Sequence, residues 1–253
     1  KRTGDNGTWS QVEYEGKTCY AASAYLTTEK PAETAAASGQ DGQAGASAAA
    51  SRNAGEVGLN MDWKYASLSK INSGKAVLYR SEAASRKNKV VCVNAGHGTK
   101  GGSSVKTQCH PDGTPKVTSG TTSAGATTAV AVSGGMTFAD GTPEAKVTLS
   151  MARVLKDKLL ARGYDVLMIR ESDDVQLDNV ARTVLANNLA DCHIALHWDS
   201  TKSNKGAFYM SVPNVASYRA MEPVASHWQQ HNALGESLVA GLKNAGVKIF
   251  SGG

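Results

Sequence analysis

Five short segments between Lys89 and His197 alternate in character, and that alternation limits the fold more than anything else in the chain. Val90 to Val93 is a β-branched run that ends abruptly in Gly96-His97-Gly98, as a buried strand running into a turn does. Thr142-Pro143-Glu144 opens a helix with a cap, a proline in the first turn and a carboxylate near the positive end of the dipole. Val147, Met151, Val154, Leu155 and Leu159 form its expected buried face, and Arg162-Gly163 ends it. Tyr164 to Ile169 reads as the next strand, Val175 to Leu189 as a helix with Val180, Val184 and Leu185 inward, and Cys192 to Leu196 as a strand ending at His197. Strands separated by helices predict an α/β fold, a mostly parallel sheet flanked by helices. Such sheets carry their sites outside the carboxyl ends of the strands.

The remaining chain is arranged around this frame. A helix over Trp228 to Ala245 closes at Gly246, and Val247-Lys248-Ile249-Phe250 begins a further strand. Thr99 to Gly141 is rich in Gly, Thr, Ser and Ala and far exceeds an ordinary strand-to-helix connection. It reads as an insertion, either a lid or wall over the site or a surface excursion. Thr8 to Tyr14 alternates like a strand, Glu15-Gly16-Lys17 turns, and Thr18 to Ala22 returns, which predicts a β-hairpin within residues 1–28. From Pro31 to about Ala50 the composition is that of a flexible linker. Residues 51–87 hold apolar groups without a period and read as a second tether or a strap on the next domain, which leaves 88–253 as the main domain.

The net charge of +5 favours acidic partners, of which nucleic acid, anionic lipid and the acidic polymers of a bacterial wall are the candidates, and charge alone does not choose among them. No basic run is interleaved with aromatics, so nucleic acid is not expected. No stretch is long and apolar enough to span a membrane. The first residues, Lys-Arg-Thr-Gly-Asp-Asn, are not a signal peptide, and the chain is expected to be a processed piece. Cys19, Cys92, Cys109 and Cys192 lack metal-ribbon spacing; Cys92 and Cys192 read as small buried hydrophobes.

His97, Glu144 and His197 all fall at element ends on one edge of the expected sheet. Singly, each has an ordinary reading: a turn histidine, a helix-dipole carboxylate, a strand-end histidine. Together, two imidazoles and a carboxylate leave a tetrahedral zinc ion one open position, the catalytic pattern. Zinc so held activates water and polarises a carbonyl, which suits amide hydrolysis. His227 and His231, four apart on a helix, lack the glutamate of a metalloprotease helix. His110 lies in a turn of the insertion, near enough in principle to approach the zinc, and His193 alternates away from the site.

Asn94-Ala95-Gly96-His97-Gly98, Glu144 entering a helix, Arg170-Glu171-Ser172-Asp173-Asp174, Ala181-Arg182 with Ala186-Asn187-Asn188, and Asp191 to Ser200 occur in an order that resembles the catalytic domain of zinc-dependent N-acetylmuramoyl-L-alanine amidases. The resemblance covers about Lys89 to Gly253. It implies zinc held by His97, Glu144 and His197, and cleavage of the amide between the lactyl group of N-acetylmuramic acid and the first L-alanine of the peptidoglycan stem peptide. It further implies a bacterial, secreted, wall-associated protein active in wall remodelling or lysis. Arg182 and Asn187 are then expected to hold the strand of the last ligand. The chain departs from the family pattern in Asn94-Ala95 for Asp-Pro, in Asp199 for Asn, and in the long insertion. The general base of the family is a glutamate on a strand after the last long helix, expected here beyond Gly253; neither Glu222 nor Glu236 takes that role. The alternatives are a catalytically inactive wall-binding relative, and a zinc hydrolase acting on another amide. In the amino-terminal part, Trp9, Val12, Tyr14, Gly16-Lys17 and Tyr20 followed by Ser23-Ala24-Tyr25-Leu26 resemble the last half of a bacterial Src-homology-3-like domain.

Overall fold

The structure, a computed structural model, describes residues 2–5, 9–14, 17–22 and 54–250. The chain divides into two units, Lys1–Gly45 and Ala46–Gly253. In the first, β1 (Arg2–Asp5), β2 (Trp9–Tyr14) and β3 (Lys17–Ala22) form an antiparallel sheet in that order, with Trp9 opposite Ala22 and Tyr14 opposite Lys17. The hairpin is the one its alternation predicts. β1 is an addition, its four residues too polar to announce a strand.

The second unit contains a five-stranded sheet. In chain order its strands are β4 (Ala54–Gly58), β5 (Lys75–Tyr79), β6 (Val90–Ala95), β9 (Asp165–Met168) and β10 (Cys192–Leu196), and they lie in the order β10-β6-β9-β5-β4. β10, β6 and β9 are parallel; β5 and β4 complete the sheet antiparallel. Residues within 51–87, left without a period in the sequence, thus supply two strands of this sheet. Between β6 and the first long helix, β7 (Lys106–Gln108) and β8 (Thr128–Val130) pair as a small ribbon in the insertion.

Both faces of the sheet are covered, so the central strands bury both alternating sets of side chains. On one face Val91, Val93 and Ala95 of β6 meet Val166 and Met168 of β9 and Leu149 and Ala152 of α1 (Glu144–Ala161). On the other, Cys92, Leu167 and Ile169 pack with Ala181, Leu185 and Ala186 of α2 (Asn179–Leu189). Cys92 is fully buried, as expected of a small hydrophobe; Cys192 is half-buried against the α1 side.

α1 begins at Glu144 as its sequence indicates, but the cap and the buried face differ. No side chain caps the helix; Pro143 stands at the N-cap, and the Glu144 amide donates to Met136 O at 2.9 Å. Met151 and Val154, expected inward, are exposed, and the buried positions are Glu144, Thr148, Leu149, Ala152 and Lys156. The reason is close approach: Thr148 Oγ1 donates to Gly96 O at 3.0 Å, which brings the helix down on small side chains. Lys156 lays its stem along the sheet and sets its ammonium 4.4 Å from the centre of the Tyr79 ring.

α2 starts four residues later than its apolar pattern suggests. Val175 to Asp178 stay extended because their backbone is already engaged: Val175 N donates to Gly98 O, and Thr99 Oγ1 donates to Val175 O and Leu177 O. Asp178, fully buried, then caps the helix by accepting from Ala181 N at 2.8 Å. The same carboxylate accepts from Ser69 Oγ and from the amides of Lys70 and Ile71, tying the segment between β4 and β5 to α2.

The last helices are α3 (Ala216–Arg219) and α4 (Val224–Asn244), the latter closing at Gly246 as expected. Residues 247–250 begin to pair: Ile249 forms a parallel bridge with Ala207. No described helix is long and apolar enough to cross a membrane.

Candidate metal centre

The two parallel strands β6 and β10 end in register, Ala95 opposite Leu196, so the residues that follow them emerge side by side. His97 follows β6 after one glycine, and His197 follows β10 directly. A Cβ at Gly96 would overlap the His197 ring, so this position requires glycine. His97 itself sits at φ 63°, a left-handed conformation held by its surroundings.

Those surroundings include two buried arginines. Arg182 donates to His97 O at 2.7 Å, Thr99 Oγ1 at 2.8 Å, Leu177 O at 3.0 Å, Asn94 Oδ1 at 3.1 Å and Ala95 O at 3.2 Å. Arg170 donates to Gly96 O and Thr148 Oγ1 at 3.0 Å and to Ala95 O at 3.1 Å. Burial pushes both guanidinium pKa values down to about 10, which leaves them charged at neutral pH. Three consecutive carbonyls, Ala95, Gly96 and His97, are thus gripped from beneath. Arg182, expected to steady the strand of the last ligand, instead holds the loop of the first, because α2 packs directly against β6 and its guanidinium reaches the end of that strand. Asn187 is exposed. Asn94, standing where the family pattern has Asp, serves as a neutral acceptor for Arg182.

The donor atoms converge. His97 Nε2 lies 2.9 Å from Glu144 Oε1, His197 Nδ1 lies 3.0 Å from His97 Nε2, and His197 Nδ1 lies 3.1 Å from Glu144 Oε1. His97 Nδ1 is 2.8 Å from Ser133 O, which can only accept, so in the neutral ring Nδ1 carries the hydrogen and Nε2 keeps a lone pair. Glu144 Oε2 accepts from Met136 N at 2.9 Å and Oε1 from Trp198 N at 2.8 Å. Burial works to raise the Glu144 pKa, but these amides and His97 outweigh it and hold the carboxyl below its ordinary range. Burial and the His97 charge lower the His197 pKa against the pull of Glu144.

With the hydrogen of His97 on Nδ1, His97 Nε2 and Glu144 Oε1 are both acceptors and repel at 2.9 Å unless a cation lies between them. A proton on His197 Nδ1 satisfies the other two edges of the triangle; a metal ion would satisfy all three. Tetrahedral bonds of about 2.1 Å set ligand atoms about 3.4 Å apart, within a few tenths of an ångström of what is found. The donor set therefore fits a divalent metal. His97 and Glu144 are buried, whereas the His197 side chain is 52% exposed, which gives the trio one open side.

The other tempting residues stay outside this group, which is the one cluster of three possible metal ligands among the described residues. His227 and His231 stack on α4 with ring centres 6.2 Å apart, both exposed. His110 packs on Tyr218 of α3. Glu222 accepts from Ser226 Oγ, and Glu236 is exposed on α4. Asp199 pairs with Lys205. The contacts without a sequence signal are Ser133 O and the Met136 and Trp198 amides, all backbone groups, and the grip of Arg170, whose motif assigns it no role.

His193 has its own chemistry. Its Nε2 is shut off from solvent without a hydrogen-bond partner among the described residues. Burial, with the charges of Arg182 and His231, pushes its pKa down to about 4. Between that value and the ordinary one near 6.5 the unfolded chain binds the extra proton, so folding stability falls as pH drops through this window. His193→Leu is expected to flatten the dependence of Tm on pH between about 6.5 and 4, as read by thermal melts at stepped pH; an unchanged slope would refute the assignment.

Two imidazoles and an ionised carboxylate at the carboxyl edge of a parallel sheet are the donor set of a mononuclear metal hydrolase. The family model for N-acetylmuramoyl-L-alanine amidases (Amidase_3) matches residues 91–249, more than half of the chain, and the chain belongs to that family. Its reaction is hydrolysis of the amide that joins N-acetylmuramic acid to L-alanine in peptidoglycan. No curated protein and no solved structure matches the chain.

Proposed function

We propose that His97 Nε2, Glu144 Oε1 and His197 Nδ1 hold one zinc ion, and that the amide is cut on the open side of this trio. The observation that carries the reading is the convergence of three possible ligand atoms within 3.1 Å in a chain of the amidase family. When bound, zinc supplies a Lewis acid that polarises the scissile carbonyl and brings the pKa of water toward neutrality.

The protein's part is preorganisation. Arg182 and Arg170 fix the carbonyls of the His97 loop, and Ser133 O fixes the His97 tautomer, so that Nε2 is the available nitrogen. The Met136 and Trp198 amides keep Glu144 ionised and aimed inward. Because Trp198 N both follows His197 and binds Glu144, it locks the third ligand to the second.

The amino-terminal unit is read as the end of an Src-homology-3-like wall-attachment module, supported by its residue pattern and antiparallel strands, and the net charge of +5 suits anionic wall polymers. The protein is accordingly read as secreted and wall-associated. The test is digestion of purified peptidoglycan with the zinc-loaded full-length protein, which carries the residues expected after Gly253. New amino termini at L-alanine, with glycan strands intact, are expected. New reducing sugar ends, or cleavage within the stem peptide, would overturn the reading; retention on the wall without release would support the inactive relative instead.

A further inference from the structure

Two of the three trio residues are held by one short limb of the insertion, through its backbone. Ser133 O faces His97 Nδ1 at 2.8 Å. Gly135, at φ 81°, lies so close that a Cβ there would stand 2.7 Å from His97 Cδ2 and 2.9 Å from Glu144 Oε2. Met136 N donates to Glu144 Oε2, and Met136 O accepts from the Glu144 amide, both at 2.9 Å. The limb grows from a fixed point, since Ala131 and Val132 are buried, Ala131 O accepts from Asn179 N at the start of α2, and Val132 N donates to Gly102 O.

We propose that residues 133–136 are the positioning element of the metal centre, so that metal affinity and the conformation of this limb form one coupled equilibrium. The proposal rests on the reading of His97, Glu144 and His197 as zinc ligands. A cation on His97 Nε2 makes Nδ1–H a stronger donor, and its acceptor is the Ser133 carbonyl. A limb that holds this carbonyl in place stabilises the bound form, and by linkage the metal stabilises the limb to the same degree. The insertion is then neither a detachable lid nor a surface excursion, because its last turn is built into the metal site.

The test compares zinc dissociation constants, by chelator competition, for the native chain, Gly135→Ala and Gly125→Ala. Gly125 has a similar backbone, φ 85°, at the far end of the insertion with open space around it, so Gly125→Ala introduces the same strain without touching a ligand. Zinc affinity is expected to fall 10- to 100-fold in Gly135→Ala, the usual worth of an outer-shell partner, and to stay unchanged in Gly125→Ala. The visible spectrum of the cobalt-substituted protein is expected to change only in Gly135→Ala. Equal affinity in all three proteins, or equal loss in both variants, would overturn the proposal. Should Gly135→Ala fail to fold, amide hydrogen exchange on the native chain decides: zinc is expected to slow exchange at Met136 far more than at Gly125 and Ala126, and equal effects would refute the coupling. A native chain that binds no zinc removes the ligand assignment itself, and with it this proposal.

Discussion

Arg182→Met is expected to lower the free energy of unfolding of the metal-free protein by about 4 kcal/mol, near the upper limit for a single substitution. The guanidinium is 1% exposed and serves five acceptors on three segments: β6 and its loop, Thr99 of the insertion, and the turn before α2. Methionine fills much of the volume but leaves Asn94 Oδ1, His97 O and Thr99 Oγ1 buried without these donors, and each such loss costs about 1–3 kcal/mol before local rearrangement. Part of that is recovered because removing a buried charge relieves desolvation. Lysine rescues little, since one ammonium cannot span acceptors that a planar fork reaches on two sides. Urea unfolding gives the result directly: a lower midpoint with unchanged slope is expected, and a loss under about 1 kcal/mol would show that the His97 loop does not depend on this residue.

Glu144→Gln separates the demands of the metal from those of the fold. In the metal-free chain the carboxylate faces two imidazole nitrogens at 2.9 and 3.1 Å and accepts from the Met136 and Trp198 amides, one on each oxygen. Glutamine keeps the shape, but its single oxygen serves only one of these amides and its NH2 faces the other. An unpaired buried donor costs about 1–3 kcal/mol, so the apo variant is expected to melt a few degrees below the native chain, on the scale of 2–4 °C per kcal/mol for a domain of this size. Saturating zinc raises the Tm of the native chain by mass action and leaves Glu144→Gln unmoved. A variant whose Tm zinc still raises as it raises that of the native chain would contradict the account.

The frame was legible because buried parallel strands and their helices write periodic patterns. β6, β9 and β10 lie where their apolar runs place them, and the three ends that carry His97, Glu144 and His197 follow from that placement. What stayed hidden lies in polar or backbone interactions. The α1 face differs from its apolar pattern because Thr148 and Lys156 are buried by a hydrogen bond and a ring contact, neither of which has a hydropathy signal. α2 is shorter than its apolar pattern because Val175 and Leu177 are buried in a non-helical segment whose end is set by Asp178. β4 has no sequence signal because Ala54-Gly55-Glu56-Val57-Gly58 is poor in strand-forming residues and gains its conformation from pairing with β5, whereas β5 carries Val77, Leu78 and Tyr79 in an unbroken apolar run without alternation. Around the metal centre the outer contacts belong to Ser133, Met136 and Trp198 backbone groups, which any residue type would provide.

Zinc content per chain, measured by elemental analysis after dialysis against metal-free buffer, tests the central claim most directly. The native chain is expected to retain about one zinc ion, as a site of three protein ligands implies, and Glu144→Ala to retain none. A folded native chain without zinc, or an equal zinc content in the two proteins, would contradict the assignment of His97, Glu144 and His197.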